Sequence, residues 1–169
     1  DFKEIENRLK AGNARFMDDK LEGKLQDANR RKDLVNGQDP FAIVLSCADS
    51  RVVPELAFDT GLGEIFVVRV AGNVANTSSI ASMEYAVAVL KTKVLVVMGH
   101  QSCGAVGAAI KGGDNGHNLN HLLAHITPAI HACAPGADVN DVVKKNAVLT
   151  AADLLSRSQI INKAVEDGD

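Results

Sequence analysis

The sequence predicts an α/β fold: a central, mostly parallel sheet of about four strands in the order 2-1-3-4, flanked by helices and preceded by a helical arm. Three observations predict it. Apolar, β-branched runs recur at Phe41-Ala42-Ile43-Val44-Leu45, Ile65-Phe66-Val67-Val68 and Val94-Leu95-Val96-Val97-Met98. Stretches with helical periodicity separate these runs, and strands alternating with helices imply a parallel sheet. The first and third runs both stop at short clusters of ligand-type and small residues. These clusters are Cys47-Ala48-Asp49-Ser50-Arg51 and Gly99-His100-Gln101-Ser102-Cys103-Gly104.

Residues 1–35 are charged and helix-like. Ile5, Leu9 and Phe16 recur at roughly helical spacing, and Leu21 opens a second amphipathic stretch. Such an arm cannot fold alone and must lie against something. The turn cluster Asn36-Gly37-Gln38-Asp39-Pro40 opens the main α/β domain, 36–169. Strand one covers 41–46 and leads into the first motif. Residues 54–58 form a short helix, broken by Gly61-Leu62-Gly63. Strand two is 64–70. The helix 79–92 places Met83, Ala86, Val87 and Leu90 on one face. Strand three is 93–98, and a helix begins near Ser102 and runs to the Gly112-Gly113 break. Residues 119–133 and 139–166 are mainly helical, with Pro135-Gly136 between them. Val142-Val143 and Asn146-Ala147-Val148-Leu149 leave a short fourth strand open.

A chain of 169 residues makes about one domain. It is 46% hydrophobic but has no Trp, one Tyr and five Phe, so its core must come from Ala, Val, Leu and Ile. A net charge of -3, with Arg30-Arg31-Lys32 the only basic run, argues against nucleic acid as a partner. No apolar stretch approaches the roughly 20 residues of a membrane span. Three cysteines without a CxxC pair do not make a disulfide framework, so the cytoplasm or another reducing compartment is expected. Asp1-Phe2-Lys3-Glu4 has no signal-peptide character. It also lacks an initiator Met, which leaves a removed leader open.

In open parallel sheets, ligands bind outside the carboxyl ends of the strands, where strand order reverses. If strands one and three are neighbours and strand two lies beyond strand one, the two motifs flank that point. Cys47, Asp49, His100 and Cys103 then come together. Each alone has an ordinary explanation. Cys47 is a small residue after a buried strand, and His100 could cap a helix. Asp49 and Arg51 could be a surface ion pair worth about 1 kcal/mol or less. Together, two thiolates, an imidazole and a carboxylate suit zinc. Ala48, Ser50, Gly99, Ser102 and Gly104 leave room for a metal and a small substrate. A Cys₂His set with one open position is a catalytic pattern. Thiolates donate more charge than imidazoles and acidify a bound water less. Asp49 can compensate as an acceptor if Arg51 keeps it occupied and ionised.

CADSR followed downstream by GHxxCG resembles the β-class carbonic anhydrases. Leu9-Lys10-Ala11-Gly12-Asn13-Ala14-Arg15-Phe16 looks like that family's N-terminal helix. Phe66-Val67-Val68-Arg69 with Gly72-Asn73 looks like its second strand and turn, and Glu84-Tyr85-Ala86 like its next helix. The resemblance implies reversible hydration of carbon dioxide to bicarbonate and a proton, by attack of a zinc-bound hydroxide. It implies one zinc held by Cys47, His100 and Cys103. Asp49 would accept a hydrogen bond from the hydroxide or, in a closed state, ligate the metal, with Arg51 selecting the first arrangement. Gln38 matches a substrate-binding glutamine. Phe66, Ala71, Tyr85 and Gly104 match pocket positions, Ala71 standing where several members have Val. Cys133 matches no motif and reads as a buried core thiol. Family members usually continue past the helix matching 158–166 into one more edge strand, which is not expected within this sequence.

Other function classes fit less well. A cysteine phosphatase wants its Arg six positions after the Cys, and Arg51 lies four after Cys47. A zinc-stabilised binding module would not need the Asp49–Arg51 pair. A relative hydrolysing carbon disulfide or carbonyl sulfide would share the site and differ in substrate access. A homodimer or higher homo-oligomer is expected. Gln38 precedes strand one and Cys47 ends it, so about 25–30 Å of extended chain separates them. If Gln38 binds substrate, as the resemblance implies, it should reach the zinc of a second subunit.

Overall fold

The computed structural model describes residues 1–168; Asp169, the last residue of the predicted domain, lies outside them. The chain opens with α1 (Phe2–Met17), whose first turn is capped by the Asp1 side chain accepting from the Lys3 N–H. Residues 18–27 then run without helix, unlike the second amphipathic stretch expected from Leu21. Asp19 and Leu25 adopt positive φ there, at 55° and 57°. The backbone donors of Glu22 and Gly23 find the Asp59 carboxylate at 3.0–3.2 Å instead of a helical carbonyl. Short α2 (Ala28–Asp33) follows, capped by Asp27.

Three parallel strands form the sheet: β1 (Ala42–Ser46), β2 (Ile65–Arg69) and β3 (Leu95–Met98), in the order β2-β1-β3. Ser46 pairs with Arg69 on one side and Met98 on the other. β1 is buried along its whole length, as a central strand with both faces covered must be. The first three strands of the expected 2-1-3-4 order are present, and no fourth forms among the described residues. Residues 142–149 lie inside α8 (Val139–Arg157). Its buried residues Val142, Val143, Asn146, Thr150 and Leu154 recur at helical spacing. That periodicity outweighs the β-branched composition.

The remaining helices are α3 (Pro54–Ala57), α4 (Thr77–Ala88), α5 (Gly104–Lys111), α6 (His117–Ala124), α7 (Thr127–His131) and α9 (Gln159–Asp167). α4 starts two residues before the expected 79 because Asn76 and Ser79 make a capping box. The expected helix 119–133 is two, α6 and α7, the second with Pro128 in its first turn. The expected helix 139–166 breaks at Ser158, whose side chain caps α9.

Ile43 and Leu45 pack on one side of the sheet against Ile80, Met83 and Ala86 of α4 and against Leu154 and Ile161. Ala42 and Val44 face Leu9 of α1 with Ile65 and Val94. A third cluster holds Cys47 and Cys103 among Val74, Val106, Ile126 and Val142, so the motif cysteines sit on an apolar floor. The arm is anchored on its own chain. Gly12 lets α1 approach so closely that an added Cβ would strike the Phe58 carbonyl. Arg15 Nε meets Asp59 Oδ2 at 2.5 Å, and Asn13 Nδ2 donates to the Ala57 carbonyl at 3.0 Å.

Candidate metal centre

Ser46 and Met98 pair across β1 and β3, so the chain leaves both strands at the same edge of the sheet. The reversal of strand order lies at this edge, beside β1. Cys47 follows β1 directly. The loop after β3 carries His100 and ends at Cys103, the N-cap of α5. One ligand atom from each of Cys47, His100 and Cys103 lies within 4.8 Å of the others. The two sulfurs are 4.0 Å apart, and both cysteines are buried.

The donor chemistry of this trio fits a metal ion. His100 Nδ1 lies 3.0 Å from the Gln101 carbonyl. A carbonyl only accepts, so Nδ1 carries the proton, and in the neutral imidazole, the form that binds a metal, Nε2 presents the lone pair. Nε2 is buried without a hydrogen-bond partner. A backbone carbonyl fixing one imidazole nitrogen while the other stays free is how metal-binding histidines are oriented. The thiols are unequal. The hydrogen bond with Cys103 holds Cys47 well below the ordinary thiol range, helped by the N–H groups of Asp49 and Gly72. Their distances to the Cys47 sulfur are 3.4 and 3.2 Å. The same shared proton, with burial, pushes Cys103 up. A thiolate thus forms first at Cys47, and a cation between the sulfurs would replace the proton they share.

Asp49 stands beside this trio. Its Oδ1 accepts from the Arg51 N–H at 2.9 Å and from Arg51 Nε at 3.2 Å, and its Oδ2 from Arg51 Nη2 at 3.0 Å. This fork holds the Asp49 carboxyl down to about 2. Asp49 Oδ2 is 3.9 Å from His100 Nε2. Arg51 Nη2 also reaches the Ser102 carbonyl at 3.3 Å, tying the two motif loops together.

Three supporting residues escaped the sequence reading as members of the site. Arg69, at the end of β2, donates to the carbonyls of Cys47 and Asp49 at 2.9 and 2.6 Å. A cation at the carboxyl end of a strand next to β1 was the available signal. Asn146 is buried in α8 and donates to the Gly72 carbonyl at 2.8 Å. Asn140 accepts from the Ser102 N–H at 2.8 Å. Neither asparagine carries a sequence signal, because both contacts span the fold.

The remaining predicted site residues divide into two groups. Gly104 follows Cys103, with open space where a Cβ would stand. Ala71 precedes Gly72, whose N–H reaches the Cys47 sulfur. Phe66 and Tyr85 lie apart from the trio, their ring centroids 6.2 Å from each other. Phe66 pairs with Ile43, three residues before the Ser46–Arg69 pair, about 10 Å back along the sheet. Gln38 is exposed at the far end of the segment leading into β1. Cys133 is half-buried, not the buried core thiol expected, because it sits at the rim of its apolar cluster.

A profile of the family described as Carbonic anhydrase matches residues 42–169. The chain is 36% identical over 166 residues to carbonic anhydrase 2 of Mycobacterium tuberculosis, covering 95% of this chain and 80% of that protein. It is 44% identical over 126 residues to a carbonic anhydrase of Mycolicibacterium smegmatis, covering 72% of this chain and 61% of that one. Among solved structures, a β-carbonic anhydrase of the fungus Aspergillus fumigatus superposes with a TM-score of 0.69 at 27% identity. That match covers 80% of this chain and 69% of the other. A Coccomyxa β-carbonic anhydrase in complex with acetazolamide gives 0.69 at 25% identity, covering 97% and 74%.

Proposed function

Because this chain belongs to the β-carbonic anhydrase family, we propose that it hydrates carbon dioxide reversibly to bicarbonate and a proton at a single zinc ion held by Cys47, His100 and Cys103. The observation that carries this reading is the partnerless, buried His100 Nε2 facing two thiols, with the Asp49–Arg51 fork beside it. When bound there, zinc supplies a water acidified to near neutral pH.

The protein's own groups would do the rest. The Cys47 and Cys103 thiolates and the neutral His100 imidazole leave one coordination position free. Asp49, kept ionised by Arg51, is an acceptor that can orient the nucleophile there. It is also close enough to take the position itself. Arg51 decides between these states by occupying both carboxylate oxygens. Ala71 and Gly104 leave space for a substrate as small as carbon dioxide.

Gln38, Phe66 and Tyr85 complete the pocket from a second subunit in this reading. Gln38 lies on the far side of β1 from Cys47, and Tyr85 is 48% exposed with Phe66 beside it. The functional unit is therefore a homodimer or a larger homo-oligomer. No helix among the described residues is long and apolar enough to cross a membrane.

Stopped-flow hydration of carbon dioxide, run beside a carbon disulfide assay and metal analysis on the purified protein, tests the proposal. One zinc per chain with carbon dioxide turnover is expected. Turnover of carbon disulfide alone would reassign the substrate.

A further inference from the structure

Ser102 occupies the left-handed region at φ 54°, a conformation that costs a residue with a Cβ and persists only when its surroundings hold it. It lies between Gln101, whose carbonyl orients His100, and Cys103. Both of its backbone polar groups are used. The N–H donates to Asn140 Oδ1 at 2.8 Å, and the carbonyl accepts from Arg51 Nη2 at 3.3 Å. Asn140 is itself fixed at the start of α8, where its N–H donates to Asp138 Oδ1 at 2.6 Å. Arg51 Nη2 carries two hydrogens, so it can serve the Ser102 carbonyl and Asp49 Oδ2 together. A path of hydrogen bonds thus runs from a long helix, through one strained residue and the two peptide groups flanking it, to the arginine that grips Asp49.

We propose that Asn140 is a positioning residue: through Ser102 it holds Arg51 in its fork with Asp49 and so keeps Asp49 off the metal. The Arg51 side chain is 62% exposed, and a solvated ion pair alone is weak and mobile. The Ser102 carbonyl is an anchor outside Arg51's own loop, and Asn140 sets where that carbonyl points. Asp49 Oδ2, 3.9 Å from His100 Nε2, has only a short way to move once Arg51 loosens. The inference rests on Cys47, His100 and Cys103 being the ligands and Asp49 their competitor for the open position.

The test uses cobalt(II)-substituted full-length protein at neutral pH. Its visible ligand-field spectrum reads whether carboxylate or water completes the coordination, independently of turnover. Arg51→Ala supplies the spectrum of the carboxylate-ligated form. Asn140→Ala should move the wild-type spectrum toward it and cut kcat about fivefold, the effect of one neutral hydrogen bond. Metal content should stay at one ion per chain. Glycine takes positive φ without strain. Adding Ser102→Gly to Asn140→Ala should therefore restore most of the wild-type spectrum. An unchanged Asn140→Ala beside a changed Arg51→Ala overturns the positioning role and leaves the site reading standing. An unchanged Arg51→Ala overturns the positioning role together with Arg51's control of Asp49, and leaves the Cys47, His100 and Cys103 ligand set standing. Loss of metal or of folded structure in Asn140→Ala, unrescued by Ser102→Gly, makes Asn140 a structural residue and also overturns the proposal.

Discussion

Arg51 grips Asp49 by both carboxylate oxygens, Nε to Oδ1 at 3.2 Å and Nη2 to Oδ2 at 3.0 Å, although only one residue separates them in the chain. The turn after β1 makes this possible, because the Arg51 N–H also binds Asp49 Oδ1 at 2.9 Å. The carboxylate therefore has three donors on one side and the His100–cysteine cluster on the other.

Removing the guanidinium should leave the carboxylate free to take the metal's open position. Arg51→Ala is expected to lower kcat roughly tenfold or more, the range of a lost charge-assisted pair. Zinc content should not change, because no ligand is removed. Stopped-flow hydration with metal analysis on the same sample checks both halves. Full activity in Arg51→Ala would show that the pair has no control over Asp49.

Replacing a thiolate is a different lesion. Cys47→Ser leaves two strong protein ligands and should lose most of its zinc. Cys103→Ser should behave likewise. Cys133→Ser should keep one zinc per chain, since Cys133 Sγ contacts the Asp141 carbonyl at 3.9 Å and lies outside the trio. Metal retention in both Cys47→Ser and Cys103→Ser would refute the ligand set.

The Cys47–His100–Cys103 trio and the Asp49–Arg51 pair were legible in the sequence because each motif is local and ends a recognisable strand. Parallel strand order then did the assembling, since Ser46 and Met98 are sheet neighbours. What supports the trio was not legible. Arg69, Asn140 and Asn146 act on backbone groups distant in sequence, and polar residues at such positions look like any surface residue. The segment 142–149 misled for a related reason. Val142 and Val143 fit a strand by composition, whereas the burial of Asn146, Thr150 and Leu154 on the same face is helical. An amide at a core-facing helical position reads as polar until its partner, the Gly72 carbonyl, is known.

The arm carries an acid-sensitive latch. The Arg15 guanidinium, followed by the Glu22 and Gly23 N–H groups, holds the Asp59 carboxyl down to about 2 from an ordinary 3.8. A carboxyl depressed on folding contributes stability that is full above its unfolded value and lost as pH falls through its folded one. The latch should therefore be intact above about pH 4 and weaken towards pH 2. Asp59→Asn should lower the melting temperature at neutral pH and differ less from wild type as pH approaches 2. A gap between the two proteins that stays constant from pH 7 to pH 2 would show that Asp59 is not the latch.

Gln38 offers a test of the shared pocket. The Phe41 N–H donates to the Glu64 carbonyl at 2.8 Å, so the chain is already paired to the β2 side one residue before β1 begins. From Gln38 to Cys47 the extended chain covers about 25–30 Å, too far for an exposed glutamine side chain to reach back to its own trio. If Gln38 serves substrate, it does so on a partner. Gln38→Ala should impair turnover with zinc retained, and Cys47→Ser should abolish it by losing zinc. Mixed dimers of these two variants separate the possibilities. With Gln38 acting across the interface, the zinc-bearing Gln38→Ala subunit receives an intact glutamine from its Cys47→Ser partner. One complete site per mixed dimer results, and activity rises on mixing above that of either variant alone. With Gln38 acting within its own subunit, no mixed dimer holds a complete site, and mixing restores nothing.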